Sequence, residues 1–331
     1  MRNKFIYIIV GVLALVVIFL GKIFFYSATP AKEFCGDGVC QTNESCENCL
    51  EDCGICLSKP TIKPIFFWGG GVRNVNDDKK YLSDLGIKNA ETDVMWGGPE
   101  FIAIESTKGV YNFDNLDSAI NTLESAGITK ICLAINPTNN LYGIEHAVIK
   151  TSEQWTAYAN FLKALVNKFP NIDCFQIVRE LNEEKFSGTP EQYAELIKFS
   201  NEIIKVVNPD AIIVFGALAY DFREKIGRTY FLKDVINVLP NDKKYFDMID
   251  IHLHDGGDEI ATKENGAALV EKAFNLYKSQ LEGIYSNIKI SFETSAYTGS
   301  PNNMPYQTEQ DQADDVIARL NKLTELGAYI K

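Results

Sequence analysis

From Pro64 onward, short apolar runs alternate with longer segments whose apolar positions recur every three or four residues. That alternation predicts repeated βα units around a parallel sheet. Seven strands are legible: PIFFWGG at 64–70, KNAETDVMW at 88–96, KICLAI at 130–135, DCFQIVR at 173–179, AIIVFGA at 211–217, FDMIDIHLH at 246–254 and IKISFE at 288–293. Amphipathic helices are expected from TSEQWTAYANFLKALVNKF before the fourth strand, TPEQYAELIKFSNEIIKVV before the fifth and QADDVIARLNKLTELG after the seventh. Thr189 followed by Pro190 predicts an N-cap and first helical residue. Glu180 and Glu293 close the fourth and seventh apolar runs. Strand-end carboxylates so far apart in sequence suit a (β/α)8 TIM barrel, whose active sites gather at the carboxyl ends of its strands. The final AYIK stands where the eighth strand should begin, so that strand is expected to be incomplete or truncated.

The first 60 residues follow a different pattern. Phe5 to Gly21 is an uninterrupted apolar run preceded by Arg2 and Lys4, which predicts an export segment over 1–30. Its length favours a transmembrane signal anchor over a cleaved signal peptide, although Ser27 and Ala28 leave cleavage open. Residues 31–60 hold Cys35, Cys40, Cys46, Cys49, Cys53 and Cys56 in a stretch too short to build a core. A small disulfide-rich module in an oxidising compartment is expected, with zinc or calcium binding as the lesser readings and the pairing open. Cys132 and Cys174 lie inside apolar strand-like runs and are read as buried small hydrophobes.

With 331 residues, 46% of them hydrophobic, the chain has material for one large barrel over 61–331 beside the small module. A formal net charge of -12 argues against nucleic acid or an anionic membrane surface as the main ligand, and leaves neutral or cationic small molecules. Gly69, Gly70 and Gly71 lack phosphate-loop spacing, and no cofactor is expected.

Several passages together resemble the clan A glycoside hydrolases, retaining enzymes on a TIM barrel. ETDVMW with KGVYNFDNLDSAINTLESAGI is similar to that clan's second strand and following helix. RELN, SGTPEQYAELIK and NPDAIIVFGA resemble its fourth to fifth strand region, FDMIDIHLH its sixth strand and SFETSAY its seventh. The resemblance implies an enzyme hydrolysing O-glycosyl bonds of a β-linked oligo- or polysaccharide, and the amino-terminal apolar run adds the expectation that it is exported and membrane-anchored. One carboxylate would act as nucleophile and the other as acid and then base, about 5 to 5.5 Å apart. Glu293 takes the nucleophile position. Glu180 takes the acid/base position if FQIVREL is aligned on the clan's strand, whereas the literal Asn-Glu pair of the clan would select Asn182 and Glu183.

Two departures accompany the resemblance. Arg179 stands where the clan has Asn, and Glu91 where it often has Arg. An Arg beside Glu180 lowers its pKa, which opposes general-acid work, unless Glu91 neutralises that Arg as an internal ion pair. His252 matches the clan's sixth-strand His, and His254, two residues on, faces the same side of the strand. Both are expected, like Arg179, to bind substrate. No metal is expected, because His146 is the one other imidazole available as a third ligand. Trp68, Trp96 and Tyr297 are candidates for stacking on sugar faces or for plain packing, and Trp155 is read as core. Three classes therefore stay open: a glycosidase, a catalytically impaired carbohydrate-binding surface protein on the same barrel, and a metal-dependent hydrolase.

Overall fold

The structure is a computed structural model that describes residues 66–67, 88–98, 103–181, 185–254, 265–294 and 309–330. The expected export segment and cysteine-rich module lie outside the described residues, as do Trp68, Asn182, Glu183 and Tyr297. Among the described residues no helix is long and apolar enough to cross a membrane.

Among the described residues ten strands occur in chain order: β1 (Phe66–Phe67), β2 (Asn89–Met95), β3 (Glu105–Thr107), β4 (Val110–Tyr111), β5 (Lys130–Asn136), β6 (Cys174–Glu180), β7 (Ile212–Ala219), β8 (Met248–Leu253), β9 (Lys289–Thr294) and β10 (Tyr329–Ile330). Eight form one sheet in the order β1-β2-β5-β6-β7-β8-β9-β10. Every pairing in it is parallel. The two end strands, β1 and β10, also approach each other. Sequential parallel order with helical crossovers is a TIM-barrel-like fold. β3 and β4 form a separate antiparallel hairpin after β2. The eighth position, expected to be incomplete, is the two-residue β10, which pairs with Ser291 and Phe292 of β9.

Among the described residues six α-helices cover the sheet: α1 (Asp114–Ser125), α2 (Ser152–Lys168), α3 (Pro190–Val207), α4 (Phe231–Val238), α5 (Gly266–Lys278) and α6 (Glu309–Glu325). Thr151 and Thr189 cap α2 and α3 through reciprocal capping boxes with Gln154 and Gln192, and Pro190 opens α3 as its sequence signal predicts. The main core lies between strands and helices. It joins Leu133, Ile135, Phe175, Ile177, Phe215, Ile249 and Phe292 to helix residues such as Phe161, Leu196 and Val270. Trp155 packs against this core from α2, as the sequence implies.

A second, smaller cluster holds Cys132, Cys174, Val214 and Met248. Glu91 and Asp93 of β2 pair in register with Cys132 and Ala134, so the two cysteines share the sheet face that carries those acids. The reading of Cys132 and Cys174 as separate buried hydrophobes is corrected here. They are register partners on adjacent strands with Cα atoms 4.5 Å apart, and they form a disulfide. Each strand taken alone shows a buried cysteine, and only the pairing of β5 with β6 reveals the bond.

Candidate active site

The acids and histidines converge at the carboxyl ends of β2, β6, β8 and β9. Alternation along β8 puts Asp250, His252 and His254 on one face, and His252 lies directly across from Glu293 of β9. Alternation along β6 breaks. Val178, a β-branched residue, has φ 68°, and the β6–β7 register shifts between Ile177 and Glu180. A left-handed conformation at such a residue is a strained outlier, costing on the order of 1–3 kcal/mol. It is held from two sides. The Tyr193 hydroxyl donates to the Ile177 carbonyl at 2.7 Å and accepts from the Gly216 N–H at 2.7 Å. Gly216 itself has no room for a side chain, because a Cβ there would stand 2.5 Å from the carbonyl oxygens of both Ile177 and Val178. The bulge lets two consecutive residues, Arg179 and Glu180, both reach the site.

Arg179 donates to Asp93 at 3.0 Å through Nη1 and to Glu293 at 3.1 Å and 3.4 Å through Nη2. Burial works against its charge, but Glu293, Asp93, Glu91 and Glu180 together hold the guanidinium protonated with its pKa raised. The sequence expectation that Glu91 compensates Arg179 is thus one part of a larger arrangement. Glu91, 2% exposed, adds its field, and Asp93, which sequence reading passed over, makes a direct ion pair. The signal was present in ETD, where acids two apart on a strand share a face.

His252 is the hub. Its Nδ1 stands 3.2 Å from Oε1 of Glu180, and its Nε2 stands 3.3 Å from both Asp250 and Glu293. Burial alone would lower its pKa, but Glu293, Asp250 and Glu180 overcome that and raise it to about 10. Glu180 moves the other way. The hydrogen bond from His252 leads, with burial opposing and the charges of His252 and Arg179 assisting, and its pKa falls to about 2. The direction matches the sequence expectation, but His252 is a larger cause than Arg179. His254 is pushed down by burial and by neighbouring His252. Its backbone N–H donates to Asp221 at 2.6 Å, and its Nε2 lies 3.8 Å from Glu293. Asp250, fully buried, accepts from Ser291 at 2.7 Å.

Trp96 does not face the cleft. It is fully buried, stacks on Phe161 and Tyr142, and donates its indole N–H to Glu105. The sugar-stacking expectation for it is corrected: the strand turns its indole into the strand–helix core, where Glu105 supplies the partner the buried N–H requires. Glu105, 1% exposed, also accepts from the Tyr142 hydroxyl at 2.7 Å and from the Gly109 N–H, tying β2, the β3–β4 hairpin and the loop after β5 together. His146, the third imidazole considered from the sequence, is exposed in the loop before α2. The third group beside His252 and His254 is Glu180.

No protein-family model and no curated protein matches the sequence. Solved structures do match its fold. A family 39 glycoside hydrolase from the gut symbiont Bacteroides cellulosilyticus WH2 superposes with TM-score 0.56 at 15% identity, covering 80% of this chain and 54% of that one. A glucosidase from Croceicoccus marinus gives TM-score 0.53 at 13% identity, covering 75% and 53%. A psychrophilic glycoside hydrolase family 10 endo-β-1,4-xylanase gives TM-score 0.54 at 16% identity, covering 79% and 83%. The chain spans about half the length of the first two. What these likenesses establish is the architecture: this chain shares its TIM-barrel-like fold with glycoside hydrolases.

Proposed function

We propose that this chain is an exported, membrane-anchored glycoside hydrolase that cleaves a β-linked glycan by a retaining mechanism, with Glu293 as nucleophile and Glu180 as acid/base. One observation carries the reading. Glu180 from the fourth barrel strand and Glu293 from the seventh reach opposite nitrogens of the same imidazole, His252. Both carboxylates therefore border one cleft at the carboxyl ends of the strands, where a pair of acids can flank a glycosidic bond. Export is supported by the apolar run at 5–21, the cysteine-rich stretch and the Cys132–Cys174 disulfide, which an oxidising compartment favours.

In the first step a Glu293 oxygen attacks the anomeric carbon, the bond to the leaving oxygen breaks, and Glu180 gives that oxygen a proton. In the second, Glu180 takes a proton from water, the water oxygen attacks the anomeric carbon, and the bond to Glu293 breaks. Arg179 pairs with Glu293 and holds its carboxylate in place. Glu180 is an ionised carboxylate in the free protein, and its partner His252 carries the proton. The two form a coupled pair holding one proton. A sugar covering the cleft and excluding water shifts that proton toward Glu180, where the leaving oxygen receives it.

The test is reducing-sugar release from a panel of β-linked polysaccharides by the full chain and by Glu293→Gln and Glu180→Gln. The expected result is release that Glu293→Gln abolishes and Glu180→Gln reduces by about 10²–10⁴-fold. Release that survives Glu180→Gln moves the acid/base role to Glu183. No release, with glycan binding retained, overturns the catalytic reading in favour of a carbohydrate-binding barrel.

A further inference from the structure

His252 and His254 project from one strand to the same side, and β6 brings Glu180 against them. One donor atom from each of the three lies within 4.8 Å of the others. Two imidazoles and one carboxylate are a ligand set that zinc accepts, with a fourth position left for water or another group. We propose that Glu180, His252 and His254 form a binding site for zinc, or for a divalent first-row metal of similar ligand preference.

Supporting groups are already in place around this set. His252 is 1% exposed, so its ring orientation is set by packing. Its Nδ1 is the nitrogen beside Glu180, while its Nε2 lies 3.3 Å from both buried Asp250 and Glu293. Asp250 is in turn fixed by Ser291. His254 is anchored through its backbone N–H to Asp221 at 2.6 Å. Glu293 Oε1, 3.8 Å from His254 Nε2, stands next to the triad. The surrounding field favours a cation: Glu91, Asp93, Asp250 and Glu293 are all acids, and the opposing charge of Arg179 is engaged by Asp93 and Glu293. The sequence hid the site because HxH invites a search for a third imidazole, whereas the third ligand is a carboxylate from a strand 72 residues away in sequence.

Metal binding stands apart from the glycosidase reading, and one consequence rests on that reading. A metal on Glu180 withdraws the acid/base, so zinc would inhibit glycan cleavage. The full chain, stripped by a chelator, is titrated with zinc alone by calorimetry and with cobalt(II) alone by visible absorption, beside His254→Gln, Glu180→Gln and the exposed control His146→Gln. Any metal held by the cysteine-rich segment is common to all four proteins and cancels in the comparison. The expected result is one equivalent bound by wild type and by His146→Gln beyond what His254→Gln and Glu180→Gln bind, with a tetrahedral cobalt spectrum that both site variants lose. Circular dichroism checks that each variant is folded, and the two site variants report independently should one fail to fold. Equal stoichiometry and affinity in wild type and a folded site variant overturns the site. Metal binding lost in both variants, without zinc inhibition of sugar release, supports the site and counts against Glu180 as acid/base.

Discussion

Gly216→Ala tests how the barrel presents Arg179 and Glu180. The added methyl meets the carbonyl oxygens of Ile177 and Val178 at 2.5 Å and the Tyr193 hydroxyl at 2.9 Å. Two of those three contacts are backbone atoms of the bulge itself, so relief requires moving the segment that carries the site. Overpacking of this kind costs about 1–3 kcal/mol. Displacing the Tyr193 hydroxyl also weakens two hydrogen bonds, each worth about 0.5–1.5 kcal/mol net. A combined loss of about 2–6 kcal/mol follows, or a fall in Tm of roughly 5–20 °C for a domain of this size. Thermal and urea unfolding followed by circular dichroism measure it. Tyr193→Phe is the control: it removes both hydrogen bonds without a clash, and about 1–3 kcal/mol is expected. A Gly216→Ala protein within about 0.5 kcal/mol of wild type, the range of ordinary surface substitutions, would refute the packing argument.

Stability should depend on pH through the Glu180–His252 pair. Glu180 is lowered from 4.5 to about 2, so its contribution is complete above 4.5 and is lost as pH falls toward 2; His252 is raised from 6.5 to about 10, so its contribution is complete below 6.5 and is lost as pH rises toward 10. Melting temperature across pH should therefore peak between those limits, and His252→Gln should flatten the alkaline decline; an unchanged alkaline limb in that variant contradicts the assignment. The Cys132–Cys174 disulfide closes a separation of 42 residues. Replacing both by Ala should destabilise the barrel by about 2–4 kcal/mol in urea unfolding, and no change would mean that the bond adds nothing to the packing around it. Glu105→Gln leaves the Trp96, Tyr142 and Gly109 donors facing an amide with one acceptor oxygen, and a loss of about 2–4 kcal/mol is expected, with altered Trp fluorescence as the local readout.

The sheet was legible because each strand of a parallel barrel is an apolar run bounded by polar loops, and because Thr189-Pro190 announces its helix chemically. Glu293 was legible for the same reason: β9 is regular, and its last inward position is an acid. The fourth strand was harder. FQIVRE read as plain alternation places Arg179 and Glu180 on opposite faces, and nothing in the sequence marks Val178 as left-handed. The device that reconciles them sits in Gly216 and Tyr193, on other elements. Trp96 misled because a strand-end aromatic in sequence carries no record of the hairpin acid that turns it inward. Asp93, Asp250 and the cysteine pair each needed a neighbouring strand's register to acquire a partner.

The central claim is that Glu293 is the nucleophile of a retaining glycosidase. The most direct measurement is mass spectrometry of the protein after incubation with an activated 2-deoxy-2-fluoro glycoside of the sugar released in the panel assay, followed by peptide mapping of the label. The expected result is one covalent sugar per chain, attached at Glu293 and absent from Glu293→Gln. A label on Glu180 or another carboxylate, or hydrolysis without any trapped adduct, would contradict the account.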